Sequence, residues 1–138
     1  MISLTKDKEL KGYKSLTVYP EVAHFVTTRH GGVSEGTYGS FNCSPYTKDS
    51  CINVNCNQNK LFQITGHQIK ELVIPEQKHG SASLVVDESF FKESLEVRRT
   101  LLRGIDALIT NVPGYCVCVT TADCVPAVSY THLRAHET

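Results

Sequence analysis

The sequence predicts an α+β fold of mixed β-sheets flanked by helices, and three observations predict it. Short β-branched and aromatic runs recur along the 138-residue chain. They do not alternate with helical patterns in the regular way that a doubly wound parallel sheet requires. The clearest helical stretch, 54–65, is short and places Leu61 and Ile64 inward, with an asparagine content that opposes it. Hydrophobic residues at 41% and charged residues at 20% are ordinary globular values and exclude disorder. The length suits one domain with a real core.

In chain order, Leu16-Thr17-Val18-Tyr19 and Val22-Ala23-His24-Phe25-Val26-Thr27-Thr28 read as strands broken by Pro20. Arg29-His30-Gly31-Gly32-Val33-Ser34 reads as a turn whose glycines permit positive φ. Residues 34–50, rich in Gly, Ser, Asn, Pro and Thr, form a long loop, and a loop of that length in a compact domain is usually functional. Leu72-Val73-Ile74-Pro75 and Ser83-Leu84-Val85-Val86 are two strands flanking a turn at His79-Gly80. From Asp87 to Arg103 the pattern is amphipathic without a decisive period. Asp106-Ala107-Leu108-Ile109-Thr110 is a strand closed by the turn Asn111-Val112-Pro113-Gly114. Tyr115-Cys116-Val117-Cys118-Val119-Thr120-Thr121 is nearly all apolar and β-prone, which predicts a central buried strand with Asp123-Cys124 at its C-terminal end.

Lys+Arg and Asp+Glu balance at 14 each, so the chain lacks the basic patch of a nucleic-acid binder. Mixed clusters such as Glu96-Val97-Arg98-Arg99 read as a solvated helix face. No 18-residue apolar run is present, so no membrane span is expected. The N-terminus lacks the apolar core of a signal peptide, and the expected compartment is cytoplasmic and reducing. The six cysteines (43, 51, 56, 116, 118 and 124) are therefore expected as thiols or ligands.

Two small motifs concentrate the chemistry. Gln77-Lys78-His79-Gly80 delivers an imidazole and Thr121-Ala122-Asp123-Cys124 delivers a thiol, each at the end of an apolar run. Imidazole and thiolate are borderline-to-soft metal ligands, and they are also the halves of a Cys–His nucleophilic site. Against this, His79 also fits a polar turn residue, and Cys124 fits a small buried hydrophobe. Cys116 and Cys118 lie two apart on one strand face and read as core. Cys51 and Cys56 lack the second pair that a zinc finger requires. Arg29, beside Gly31-Gly32, has the fork that grips phosphate or an oxyanion, and equally fits a surface arginine. His24, with apolar neighbours, reads as a hydrogen-bonded core histidine, and His30 as a solvent-facing one. The chain has no H-x-E…P-C-x-x-C deaminase signature, no His-x-His pair, no phosphate-binding G-x-x-x-x-G-K-[ST], no G-x-G-x-x-G and no G-x-S-x-G.

Five segments occur in one order: Phe25-Val26-Thr27-Thr28-Arg29-His30-Gly31-Gly32-Val33-Ser34; Ser40-Phe41-Asn42; Pro75-Glu76-Gln77-Lys78-His79-Gly80; Asp106-Ala107-Leu108-Ile109-Thr110; and Thr121-Ala122-Asp123-Cys124-Val125-Pro126. Over residues 16–128 the chain resembles the YfiH/laccase-domain family. The resemblance implies a mixed-sheet fold and a metal, zinc with copper as the alternative, held by His79, Cys124 and a second histidine from an H-A-G-W-R-G motif. It implies His79 and Cys124 as catalytic and metal residues, and Arg29 and Asn42 as substrate or phosphate contacts by motif position. The implied partners are small molecules, a purine nucleoside (adenosine, inosine, guanosine or methylthioadenosine) and phosphate. The implied activities are nucleoside phosphorolysis and adenosine deamination; a copper polyphenol oxidase, a metal-free Cys–His hydrolase and a non-catalytic binding module are the alternatives. The resemblance sets no oligomeric state.

H-A-G-W-R-G does not occur here, and the chain holds no tryptophan. Residues 129–138, polar and out of pattern, read as a non-native tail on a partial family domain at 1–128. The expectation is a C-terminally truncated copy without its third ligand.

Overall fold

The computed structural model describes residues 1–122 and 125–131. Two compact units emerge. The first comprises Met1–Val73 and Val112–Cys116, and the second comprises Ile74–Asn111 with the described residues from Val117 on. Short strands and helices mix in the α+β manner expected.

In the first unit β1 (Ile2–Ser3), β2 (Leu10–Gly12) and β3 (Val26–Thr27) form an antiparallel sheet in chain order, with Ile2 opposite Gly12 and Leu10 opposite Thr27. Neither β1 nor β2 was legible as a strand, because two or three residues carry no measurable alternation. Leu16–Tyr19 is not a strand but a run of turns: the amides of Leu16, Thr17 and Tyr19 bond the carbonyls of Tyr13, Lys14 and Leu16. Pro20 removes a donor there and Val18 stays 70% exposed, so β-propensity finds no partner strand to act on. His24 is half-buried and accepts the Tyr13 N–H at its Nε2 (2.8 Å), the hydrogen-bonded role anticipated for it.

Helix α1 (Cys51–Ile64) buries Val54, Asn57 and Leu61 on one stripe. Leu61 joins Leu10 and Phe41 in the core, with Phe25, Cys43, Ile64 and Leu72 packed around them. Burial pushes the Cys43 thiol up to about 11, which suits a small hydrophobe rather than a nucleophile. The loop over residues 29–50, with one 3₁₀ turn at Gly36–Tyr38, wraps Asn57 of this helix. Asn57 is 1% exposed. Its Oδ1 accepts the Val33 N–H (2.8 Å), and its Nδ2 donates to Ser34 Oγ (2.9 Å) and to the carbonyls of Asn42 (2.8 Å) and Ser40 (3.3 Å). An asparagine that looked like a defect in a helix is thus the hub of the loop. At Gly32 a Cβ would stand 2.0 Å from the Ser40 carbonyl oxygen, so backbone contact excludes every other residue.

β4 (Glu71–Val73) pairs with β7 (Tyr115–Val117) in a two-stranded sheet. The expected central buried strand over 115–121 is therefore a half-buried strand with one neighbour among the described residues. Cys116 and Cys118 are likewise half-buried rather than core. Apolar content forecasts burial, but centrality needs a partner on both edges.

In the second unit β5 (Ser83–Val85) and β6 (Ala107–Ile109) pair in parallel, Ser83 opposite Ala107 and Val85 opposite Ile109. The stretch between them holds two helices. Asp87 caps α2 (Glu88–Lys92) through the Phe90 N–H, and Ser94 caps α3 (Leu95–Leu101) through the Val97 N–H. Arg98, read as solvated, instead donates to the carbonyls of Phe90 and Phe91 and lies over both rings. Val86, Phe90 and Leu102 are buried here. No helix among the described residues is long and apolar enough to cross a membrane.

Asn57→Ala should cost about 2–4 kcal/mol in urea unfolding, since it strands the buried Ser34 hydroxyl together with the Val33 amide and the Ser40 and Asn42 carbonyls. Asp49 tests the same network through pH. The Ser34 hydroxyl at 2.6 Å is the main cause that holds its carboxyl below the ordinary value; desolvation opposes, and Asn42 assists. A lowered folded pKa means stability that is full above the ordinary value of about 3.9 and is lost as pH falls through the lower one. The unfolding free energy of Asp49→Asn should therefore fall less steeply than wild type in that acid window.

Candidate functional site

Of the predicted site residues, the structure gives His79 the most definite setting. Val73, Ile74 and Pro75 are buried, and the chain emerges at Glu76. Glu76 is held on one side by α3's end: its N–H bonds the Leu102 carbonyl (3.0 Å), and its carbonyl accepts the Gly104 N–H (2.8 Å). Gln77 is held by Thr120. The Gln77 Oε1 accepts the Thr120 N–H (2.7 Å) and its hydroxyl (3.0 Å), and the Gln77 Nε2 donates to the Thr120 carbonyl (3.1 Å). One side-chain amide thus pairs with a main-chain amide as a strand would.

The next three residues turn around a carboxylate. Asp106 Oδ1 accepts the amides of Lys78 (3.1 Å) and His79 (2.8 Å), and Oδ2 accepts that of Gly80 (2.9 Å). His79 adopts φ +62°, a left-handed conformation uncommon for a residue with a Cβ. Successive N–H groups in such a turn form a concave anion cradle, and here the anion is a side chain of the same chain. Desolvation works to raise the Asp106 pKa, but the amides of Gly80, His79 and Lys78, with the nearby His79 ring, outweigh it and hold the carboxyl below its usual range. At Gly80 a Cβ would come within 3.1 Å of Lys78 Cε and 3.4 Å of Asp106 Oδ2, so the close approach that a glycine allows is used by the turn itself.

The His79 imidazole is exposed and makes no hydrogen bond among the described residues. An imidazole nitrogen is a ligand type that suits zinc or copper. His79 fits a ligand role. Among the described residues no three His, Cys, Asp or Glu side chains gather as a metal site. Cys124, the second expected ligand, and Asp123 lie outside the described residues, as do His132 and His136.

Arg29 and Asn42 belong to the first unit. Arg29 is exposed and donates from one guanidinium nitrogen to the Gly39 carbonyl (3.3 Å). Asn42 has a different setting. Its Nδ2 donates to Thr47 Oγ1 (2.9 Å) and Asp49 Oδ2 (3.1 Å), and its Oδ1 accepts the Ser44 N–H (3.1 Å). Its amide is spent on the loop, which makes it a staple of that loop. Asp106 and the Gln77–Thr120 pairing escaped the sequence reading. Their segments were visible, but linear spacing does not reveal that residues 78–80 close on residue 106.

The profile of the family described as multi-copper polyphenol oxidoreductase laccase matches residues 23–135. The chain belongs to this family. It is 49% identical over 130 residues to a protein from Bacteroides thetaiotaomicron named purine nucleoside phosphorylase, covering 94% of this chain and 48% of that one. It is 34% identical over 107 residues to an adenosine deaminase from an unknown prokaryotic organism, covering 78% and 41%. Among solved structures, YlmD from Geobacillus stearothermophilus superposes with TM-score 0.60 at 27% identity, over 72% of this chain and 37% of that one. A Neisseria meningitidis protein superposes with TM-score 0.55 at 27% identity, over 72% and 36%. The chain thus spans about half the length of the curated relatives it matches. Those relatives carry enzyme names, and the structural neighbours agree with the α+β class.

The Gln77–Thr120 pairing generates a prediction of its own. Gln77→Met keeps the volume and removes all three hydrogen bonds. The Thr120 amide should exchange with solvent at least about tenfold faster, with a stability loss of about 1–2 kcal/mol. Unchanged exchange at Thr120 would show that the backbone holds this register without Gln77.

Proposed function

We propose that the protein is a zinc-dependent purine nucleoside phosphorylase with adenosine deaminase activity, using His79 and Cys124 as ligands and Arg29 as a phosphate contact. The observation that carries this reading is the exposed His79 imidazole, which makes no hydrogen bond among the described residues and stands on a turn that is itself tied down. The names of the relatives support the substrate class.

Bound zinc would supply Lewis acidity and a lowered pKa for coordinated water. The chain's own residues supply the rest. The Arg29 guanidinium, anchored by one contact to Gly39, can take two phosphate oxygens in its fork and hold the anion for attack on the anomeric carbon. Phosphorolysis breaks the bond between that carbon and the purine nitrogen and forms a carbon–oxygen bond to phosphate. The base leaves with the bonding electron pair and takes up a proton. Deamination replaces the amino group of adenosine with oxygen from water and releases ammonia. Asn42 acts at one remove, shaping the loop that follows Arg29.

Zinc content and turnover should be measured on the purified chain and on the protein extended to the length of its relatives, with adenosine and phosphate. About one zinc per extended protein, with adenine and inosine formed, is the expected result. His79→Ala should lower zinc affinity and turnover together, turnover by at least about 100-fold. Full turnover in His79→Ala, or metal-dependent oxygen uptake with a phenol in place of nucleoside chemistry, would overturn the assignment.

A further inference from the structure

Resting on the reading of His79 as a functional imidazole, we propose that Asp106 is the positioning residue of this site, setting where the ring stands by gripping the backbone beneath it. A histidine ligand is ordinarily oriented by a hydrogen bond to its second ring nitrogen. His79 has no such bond among the described residues, and its backbone angles set where the ring begins. The backbone angles are those that Asp106 captures: the N–H groups of Lys78, His79 and Gly80 converge on its two oxygens at 2.8–3.1 Å.

Asp106 is itself fixed. Its own N–H bonds the Ala82 carbonyl at 2.9 Å, and the next residue begins β6 in register with the start of β5. Only Ser81 and Ala82 separate Gly80 from β5. The carboxylate therefore closes a small ring of chain whose other side is a paired sheet, and the turn cannot swing without breaking that ring. The left-handed His79 conformation is disfavoured for a residue with a Cβ. Three charge-assisted bonds offset that cost. A carboxylate placed there for stability alone would not require the strained residue to be the one bearing the imidazole.

The test compares Asp106→Ala and Asp106→Asn with Asp87→Ala. Asp87 is also a carboxylate that caps backbone amides, at the start of α2. Asp87→Ala thus reports the loss of a cap without loss of the cradle. Two readouts are made on the chain: the ring ¹H–¹⁵N resonances of His79 without metal, and affinity for zinc alone. In Asp106→Ala the His79 ring resonances should shift and broaden and zinc affinity should fall about 10–100-fold. Asp106→Asn, which keeps acceptor capacity at one oxygen, should recover part of both. Asp87→Ala should lower the melting temperature and leave both readouts unmoved. The proposal falls if Asp106→Ala loses stability as Asp87→Ala does while the His79 ring resonances stay in place. Wild-type protein that takes up no zinc, yet shows ring resonances dependent on Asp106, would remove the metal reading and uphold the positioning role.

Discussion

Every backbone N–H and C=O withdrawn from water needs a partner, and in this protein regular structure supplies too few of them. Among the described residues the strands run two or three residues, and long stretches lie in turns and loops. Side chains therefore stand in for ladders. Asn57 satisfies three backbone groups of the 33–42 loop and one hydroxyl. Gln77 pairs with Thr120 as a strand residue would, and Asp106 collects three consecutive amides. Each is short, polar and able to bond several groups at once. Apolar side chains of equal volume would fill the same space and leave the loops undefined.

That constraint explains what was legible from residues alone. Helix α1, β4, β5 and β6 were found because their apolar spacing reports burial directly. The α+β class followed from the lack of alternation between strands and helices. The misses share one cause. Leu16–Tyr19 has strand composition and no partner, and β1 and β2 have a partner and no composition. The centrality assigned to 115–121 depended on neighbours that sequence cannot count. Pairing is a property of two segments, and one segment read alone shows only half of it.

The candidate site divides along the same line. His79 was identifiable because its chemistry resides in its own side chain. Asp106 and Gln77 were not, because their roles lie in which backbone groups they meet, 26 to 28 residues away for Asp106 and 43 for Gln77. Asn42 shows the converse. Its place in a family-like segment suggests a substrate contact, and its bonds to Thr47, Asp49 and Ser44 also tie it into the loop.

The contrast between Arg29 and His79 follows from their chemistry. A guanidinium recognises an anion by shape and charge and tolerates a flexible approach, so one anchoring bond to Gly39 suffices. An imidazole that binds a metal or moves a proton acts through one lone pair, whose direction must be right to within about 10–20°. Directional chemistry demands a rigid base. Beneath His79 the Asp106 carboxylate supplies that base through three successive amides, whereas at Arg29 the N–H and hydroxyl of Ser40 hold the main-chain carbonyl and Gly39 takes a single guanidinium donor.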